Sequence, residues 1–140
     1  MRFVLDNSIV MRWLFGDGSA SDHAYASHVL DTPGRPEAGA VAPAIWPLEV
    51  ANVVARAEAR GLMTEARSAA FVQLLQDLAI EVDTGTAQHA LESTLQLARR
   101  FGLSAYDAAY LDLALREGLP LATLDTGLLN AAAATGVARV

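Results

Sequence analysis

Short apolar runs and amphipathic stretches alternate along the whole chain, and the period of each run predicts its element. Phe3-Val4-Leu5, between Arg2 and Asp6, reads as a buried strand over 2–6. Ser8 to Phe15 carries a helical pattern that stops at Gly16-Asp17-Gly18. Ser19 or Ser21 is placed to cap a second helix reaching about Leu30, before the loop Thr32-Pro33-Gly34-Arg35-Pro36. Ala40-Val41-Ala42 is a weak strand pattern. Pro47 occupies a first helical turn, where its missing N–H costs nothing, and that helix runs to Arg60 before Gly61.

Thr64 caps the next helix, to about Leu78, and Ile80-Glu81-Val82 is a short strand. Thr84 or Thr86 begins a helix ending near Phe101-Gly102, and Ser104 caps another that stops at Gly118. Leu121-Ala122-Thr123-Leu124 is a strand, Thr126 to Thr135 an Ala-rich helix before Gly136, and Val137 to Val140 an edge strand. Strands alternating with helices predict an α/β protein whose central sheet is mainly parallel and covered on both faces. Ligands of such sheets collect beyond the carboxyl ends of the strands.

Composition narrows the class. With 140 residues the chain fits one domain spanning 1–140, and 53% hydrophobic with 19% charged residues suits a compact fold. No apolar run approaches the roughly 18 residues of a membrane span. Met1-Arg2-Phe3-Val4-Leu5-Asp6 meets an acid too early for a secretory signal, so the start reads as mature protein and a cytoplasmic location is expected. There is no cysteine, which removes thiolate metal sites and thiol nucleophiles, and all ten basic residues are arginines, which removes lysine-amine chemistry.

Four carboxylates stand out against this apolar background. Asp6 and Asp125 each close a strand, Glu49 opens the helix after Ala44-Ile45-Trp46-Pro47, and Asp107 follows Leu103-Ser104-Ala105-Tyr106. Any one alone reads as a surface acid or one stabilised by a helix N-terminus. All four at one end of one sheet is another matter, because like charges that close repel unless protonated or metal-bound. On the helix from Ser104, Asp107 shares a face with Leu111, Ala114 and Leu115, whereas Asp112, about 140° further round at roughly 100° per residue, is expected to face solvent. On the helix from Pro47, Glu49 and Val53 share a face edged by Asn52 and Arg56, which makes Asn52 a candidate second ligand or phosphate contact.

An all-oxygen site suits Mg²⁺ or Mn²⁺, whereas zinc would want histidine or cysteine. His23, His28 and His89 lie in predicted helices far along the chain from the acids and read as surface or packing residues. Two such ions about 3.5–4 Å apart would activate water and stabilise the leaving oxygen in a phosphodiester displacement. The net charge of −6 argues against nucleic acid. Two divalent ions add four positive charges, taking −6 to −2 with the new charge where a phosphate would sit.

The residues carrying these features also resemble a family. Val4-Leu5-Asp6-Asn7-Ser8, Trp46-Pro47-Leu48-Glu49-Val50-Ala51-Asn52, Ser104-Ala105-Tyr106-Asp107-Ala108-Ala109-Tyr110-Leu111 and Leu121-Ala122-Thr123-Leu124-Asp125-Thr126-Gly127-Leu128-Leu129, in that order, resemble a PIN domain, and more narrowly a VapC-type toxin ribonuclease. The resemblance implies a three-layer α/β/α sandwich and Mg²⁺- or Mn²⁺-dependent endoribonuclease activity on an RNA substrate. It also implies neutralisation by a small antitoxin protein, with a homodimer and a toxin–antitoxin hetero-oligomer. Carried over by position, Asp6, Glu49, Asp107 and Asp125 form the acidic quartet, with Ser8 and Thr123 as supporting hydroxyls. Asn7 departs from the small apolar residue more frequent there, and Asp125 need not touch metal directly.

Trp13, Phe15 and Trp46 are open to three readings: an apolar surface for an antitoxin helix, a base-stacking surface for RNA, or core. Arg12, Arg56, Arg99 and Arg100 are candidate phosphate contacts or ordinary solvated arginines. A receiver domain of a response regulator would need a lysine, which is lacking, and a haloacid-dehalogenase-type phosphatase would need an acid where Ser8 stands. A PIN-like module that binds RNA or protein without cutting is the competing reading. Its signature would be a lost member of the quartet, and none is lost.

Overall fold

The computed structural model describes residues 2–16, 18–31 and 39–140. Among them, β1 (Arg2–Leu5), β2 (Gly39–Ala42), β3 (Glu81–Val82) and β4 (Leu121–Ala122) form one sheet in the order β3-β2-β1-β4, with every neighbouring pair parallel. The helices are α1 (Asn7–Phe15), α2 (Ala20–Asp31), α3 (Trp46–Ala59), α4 (Glu65–Asp77), α5 (Thr86–His89), α6 (Leu95–Phe101), α7 (Ala105–Glu117) and α8 (Thr126–Thr135). Helices flank the sheet, as the α/β/α expectation requires. The chain is therefore an α/β protein with a parallel central sheet, and the loop at 32–36 lies outside the described residues.

Strand β1 sits inside the sheet and reads as a continuous apolar run for that reason: Phe3, Val4 and Leu5 are all fully buried because both faces are covered. Since all strands run the same way, their carboxyl ends share one rim, and the chain leaves that rim into α1 after β1 and α8 after β4. The helix starts there are capped by side chains. Asp6 accepts from the Ser8 amide, Ser104 from the Asp107 amide and Asp125 from the Leu128 amide. At the opposite end of α7, Gly118 takes φ 65°, a left-handed turn that closes the helix and sends the chain back into β4.

Three sequence expectations need correction. Asp112 does not face solvent: it is 2% exposed, and Arg116 donates to it through Nε at 2.8 Å. A helix with one wet face would leave Asp112 in water, but every residue from Ala108 to Ala114 is buried, because α7 packs on β1 and β4 and also against α6 and α8. Residues 137–140 make only one bridge, Leu121 to Arg139, rather than a strand. The helix expected from Thr84 or Thr86 to Phe101 is interrupted by a π-helical segment, Ala90–Thr94, which packs against α7 and has no glycine or proline to announce it.

Candidate active site

Asp6 is the most deeply placed of the four acids, 4% exposed at the end of β1. The Ser8 hydroxyl donates to its Oδ2 at 2.6 Å and the Thr123 hydroxyl to the same oxygen at 2.7 Å. Each hydroxyl has one proton to give, and each in turn accepts a backbone N–H from the segment after β4: Ser8 from Leu124 at 2.9 Å, Thr123 from Asp125 at 3.0 Å. The wiring thus runs from two amides through two hydroxyls into one carboxylate oxygen. Oδ1 is the oxygen that the hydroxyls do not engage. Burial pushes the Asp6 carboxyl above its ordinary range, while the Ser8 and Thr123 hydrogen bonds pull the other way and favour the charged form.

Glu49 lies in the first turn of α3, where Pro47 starts the helix, and is half-buried. Its Oε1 accepts a 2.6 Å hydrogen bond from the phenol of Tyr110, a fully buried residue one helical turn after Asp107. Burial raises the Glu49 carboxyl first; the Tyr110 bond lowers it, and the charges of Asp6 and Asp107 raise it. Asp107 is raised by burial and then by Asp6 and Asp125, against a lowering hydrogen bond with Ser104. Burial pushes the Tyr110 phenol strongly up, as does its bond to Glu49, so it remains a donor at any ordinary pH.

The four acids are therefore electrostatic neighbours. Glu49 feels the charges of Asp6 and Asp107, and Asp107 feels those of Asp6 and Asp125. Asp125 is exposed and spends Oδ1 on the Leu128 amide at 2.8 Å, capping α8. Among the described residues, no three carboxylates or imidazoles stand close enough to form a ready set of metal ligands. The donor chemistry nevertheless fits a hard divalent ion that keeps most of its waters, because such an ion needs only one or two direct carboxylates. It would also relieve the repulsion that raises Glu49 and Asp107.

The supporting residues divide. Ser8 and Thr123 are wired into Asp6, whereas Asn52 is exposed one turn beyond Glu49. Tyr110 was missed by sequence reasoning. A tyrosine on an apolar stripe reads as core, and its only signal is the three-residue step from Asp107 that puts both on one helix face. Trp46 and the indole of Trp13, which donates to the Ala26 carbonyl at 2.7 Å, belong to the packing, as does Phe15. Arg56, Arg99 and Arg100 are exposed, Arg100 lying over the Phe101 ring, and Arg12 is half-buried. His23 and His89 are half-buried and His28 exposed.

An all-parallel sheet with acids gathered at its carboxyl rim defines a recognisable class of α/β protein, and a family model gives it a name. The PIN domain model matches residues 3–134, so the chain belongs to the PIN domain family. PIN domains are in general nucleases and typically use divalent metals.

Solved structures share the fold. FitAcB from Neisseria gonorrhoeae aligns with a TM-score of 0.62 at 21% identity, covering 99% of this chain and 96% of that one. PAE2754 from Pyrobaculum aerophilum gives 0.61 at 22%, covering 94% and 84%. A toxin–antitoxin complex from Klebsiella pneumoniae gives 0.56 at 20%, covering 89% and 87%. No curated protein matches the chain. No helix among the described residues is long and apolar enough to cross a membrane.

Proposed function

We propose that this chain, as a single domain over 1–140, is an Mg²⁺- or Mn²⁺-dependent endoribonuclease of the VapC type that acts in the cytoplasm as the toxin of a type II toxin–antitoxin pair. The observation that carries the reading is how hydrogen bonds tie the four acids to one sheet rim: Ser8 and Thr123 join Asp6 to the segment that carries Asp125, and Tyr110 joins Glu49 to the helix that carries Asp107. Membership in the PIN domain family supports nuclease chemistry, and a structural neighbour described as a toxin–antitoxin complex supports an antitoxin partner. The homodimer and the toxin–antitoxin hetero-oligomer belong to the same proposal.

Asp6, Glu49 and Asp107 would hold the ion, one or two directly and the rest through its retained waters, with Asp125 completing the negative field. A bound divalent ion supplies an activated water and charge compensation for the phosphate. The chain's own part is positional. Ser8 and Thr123 hold the Asp6 carboxylate through Oδ2, and Tyr110 holds Glu49 through Oε1, so both carboxylates would meet the ion already oriented. Burial of Asp6 keeps bulk water from competing for its charge.

The test uses purified chain and total cellular RNA. Cleavage that requires Mg²⁺ or Mn²⁺, stops with a chelator and fails in Asp107→Asn is the expected result. Cleavage that survives chelation would remove the metal from the mechanism, and full activity in Asp107→Asn would remove this site.

A further inference from the structure

Tyr106 stands one residue before Asp107, in the first turn of α7 at the acidic rim. Of four phenylalanines, two tryptophans and three tyrosines, it alone is exposed, with 61% of its surface open. The other aromatic rings, including all three considered as stacking surfaces from the sequence, pack in or against the core. The helix start beneath Tyr106 is fixed by the Ser104 cap on the Asp107 amide at 3.1 Å, so the ring has a rigid base. Leu48, one residue before Glu49, is likewise 67% exposed. Two of the acids are thus each preceded by a large apolar side chain left in water.

A rim built in this way offers a place for charge and, beside it, apolar faces for whatever the charged group carries. In a nucleic acid that neighbour is a base, and every base has a π face to lay on an aromatic ring. Bases inside a duplex are already stacked and paired, so the free ring selects unpaired ones. We infer that Tyr106 is a stacking platform for an unpaired base next to the cleaved phosphate. The inference rests on the nuclease reading above.

The test is fluorescence anisotropy with a short fluorescein-labelled single-stranded ribo-oligonucleotide of mixed sequence, in magnesium, on Asp6→Asn protein that leaves the probe uncut. Adding Tyr106→Ala is expected to weaken binding roughly tenfold, as loss of one stacked base does, while Tyr106→Phe and Tyr106→Trp retain affinity. The dependence of affinity on salt should keep its slope, because no phosphate contact is removed. Leu91→Ala, at a leucine 84% exposed on the π-helical segment, should change nothing. Unchanged affinity in Tyr106→Ala overturns the inference alone, and so does an equal loss in Leu91→Ala or a changed salt slope. Intact RNA binding with weakened capture of a co-expressed protein partner also overturns it, assigning the ring to that partner. No RNA binding by the Tyr106-bearing protein, whether or not Asp6 is substituted, overturns the nuclease reading and the inference with it.

Discussion

The phenol of Tyr110 donates a 2.6 Å hydrogen bond to Oε1 of Glu49, joining α7 to α3 across 61 residues of sequence. Tyr110 is fully buried and Glu49 only half-buried, so the tyrosine is the fixed partner and the glutamate the positioned one. Asp107 lies one turn before Tyr110 on the same helix. One helix therefore supplies one acid of the candidate site and also orients a second from another helix.

Tyr110→Phe removes the donor and keeps the ring. Metal affinity is expected to fall roughly tenfold, as for loss of a hydrogen bond that orients a ligand, with about 1–2 kcal/mol of stability lost. Calorimetric titration with Mg²⁺ beside thermal unfolding checks this. Unchanged metal affinity would show that Glu49 is not held for the ion.

Thr123→Val and Ser8→Ala each remove one donor from Asp6 Oδ2 and leave a backbone amide, of Asp125 or Leu124, without its acceptor. Each is expected to cost roughly 1–3 kcal/mol. Thr123→Ser, which keeps the hydroxyl, should recover most of the loss. Urea midpoints for the three variants decide it; a Ser variant as unstable as Val would assign the effect to packing.

The pH dependence follows from the directions of the shifts. Asp6, Glu49 and Asp107 are raised in the folded chain, chiefly by burial. Groups raised on folding stabilise most fully below their unfolded values, about 3.9 for Asp and 4.3 for Glu, and lose that contribution as pH rises through the raised values. Asp83 runs the opposite way. Burial pushes it up, but Arg116, the Gly85 amide and Thr86 outweigh that and lower it, so its contribution is lost only as pH falls below the ordinary carboxylate range. Metal-free protein is therefore expected to melt higher at about pH 5 than at about pH 7, and Mg²⁺ to raise the melting temperature more at the higher pH. A melting temperature that rises from about pH 5 to about pH 7 would contradict the account.

Asp112 lies outside the acid site. Arg116 bridges it to Asp83, with 2.8 Å contacts to both carboxylates, and so ties α7 to the end of β3. Asp112→Asn should destabilise by roughly 2 kcal/mol and leave cleavage per folded molecule unchanged. Unfolding and RNA-cleavage assays on the same preparation separate these effects; a large loss of activity in fully folded protein would place Asp112 in the site.

Most of the fold was legible because the signals were local. Thr64, Ser104 and Asp125 each accept the amide three residues on, in the first turn of the helix that follows. The four acids stood out because a carboxylate beside an apolar strand or stripe has few uncharged explanations. What escaped was non-local. Asp112 misled because the wetness of a helix face depends on what packs there, and the Tyr110 to Glu49 bond joins two segments whose patterns say nothing of each other. The π-helical turn at Ala90–Thr94 leaves no mark in residue type.

The most direct measurement is the mapping of new RNA 5′ ends in cells expressing this chain beside its Asp6→Asn variant, with growth followed in parallel. Asn keeps the cap on α1 and removes the charge, so the comparison isolates the carboxylate. The account predicts discrete new ends and arrested growth that both disappear in the variant. The same ends in both strains, or soluble protein that produces neither ends nor a growth defect, would contradict it.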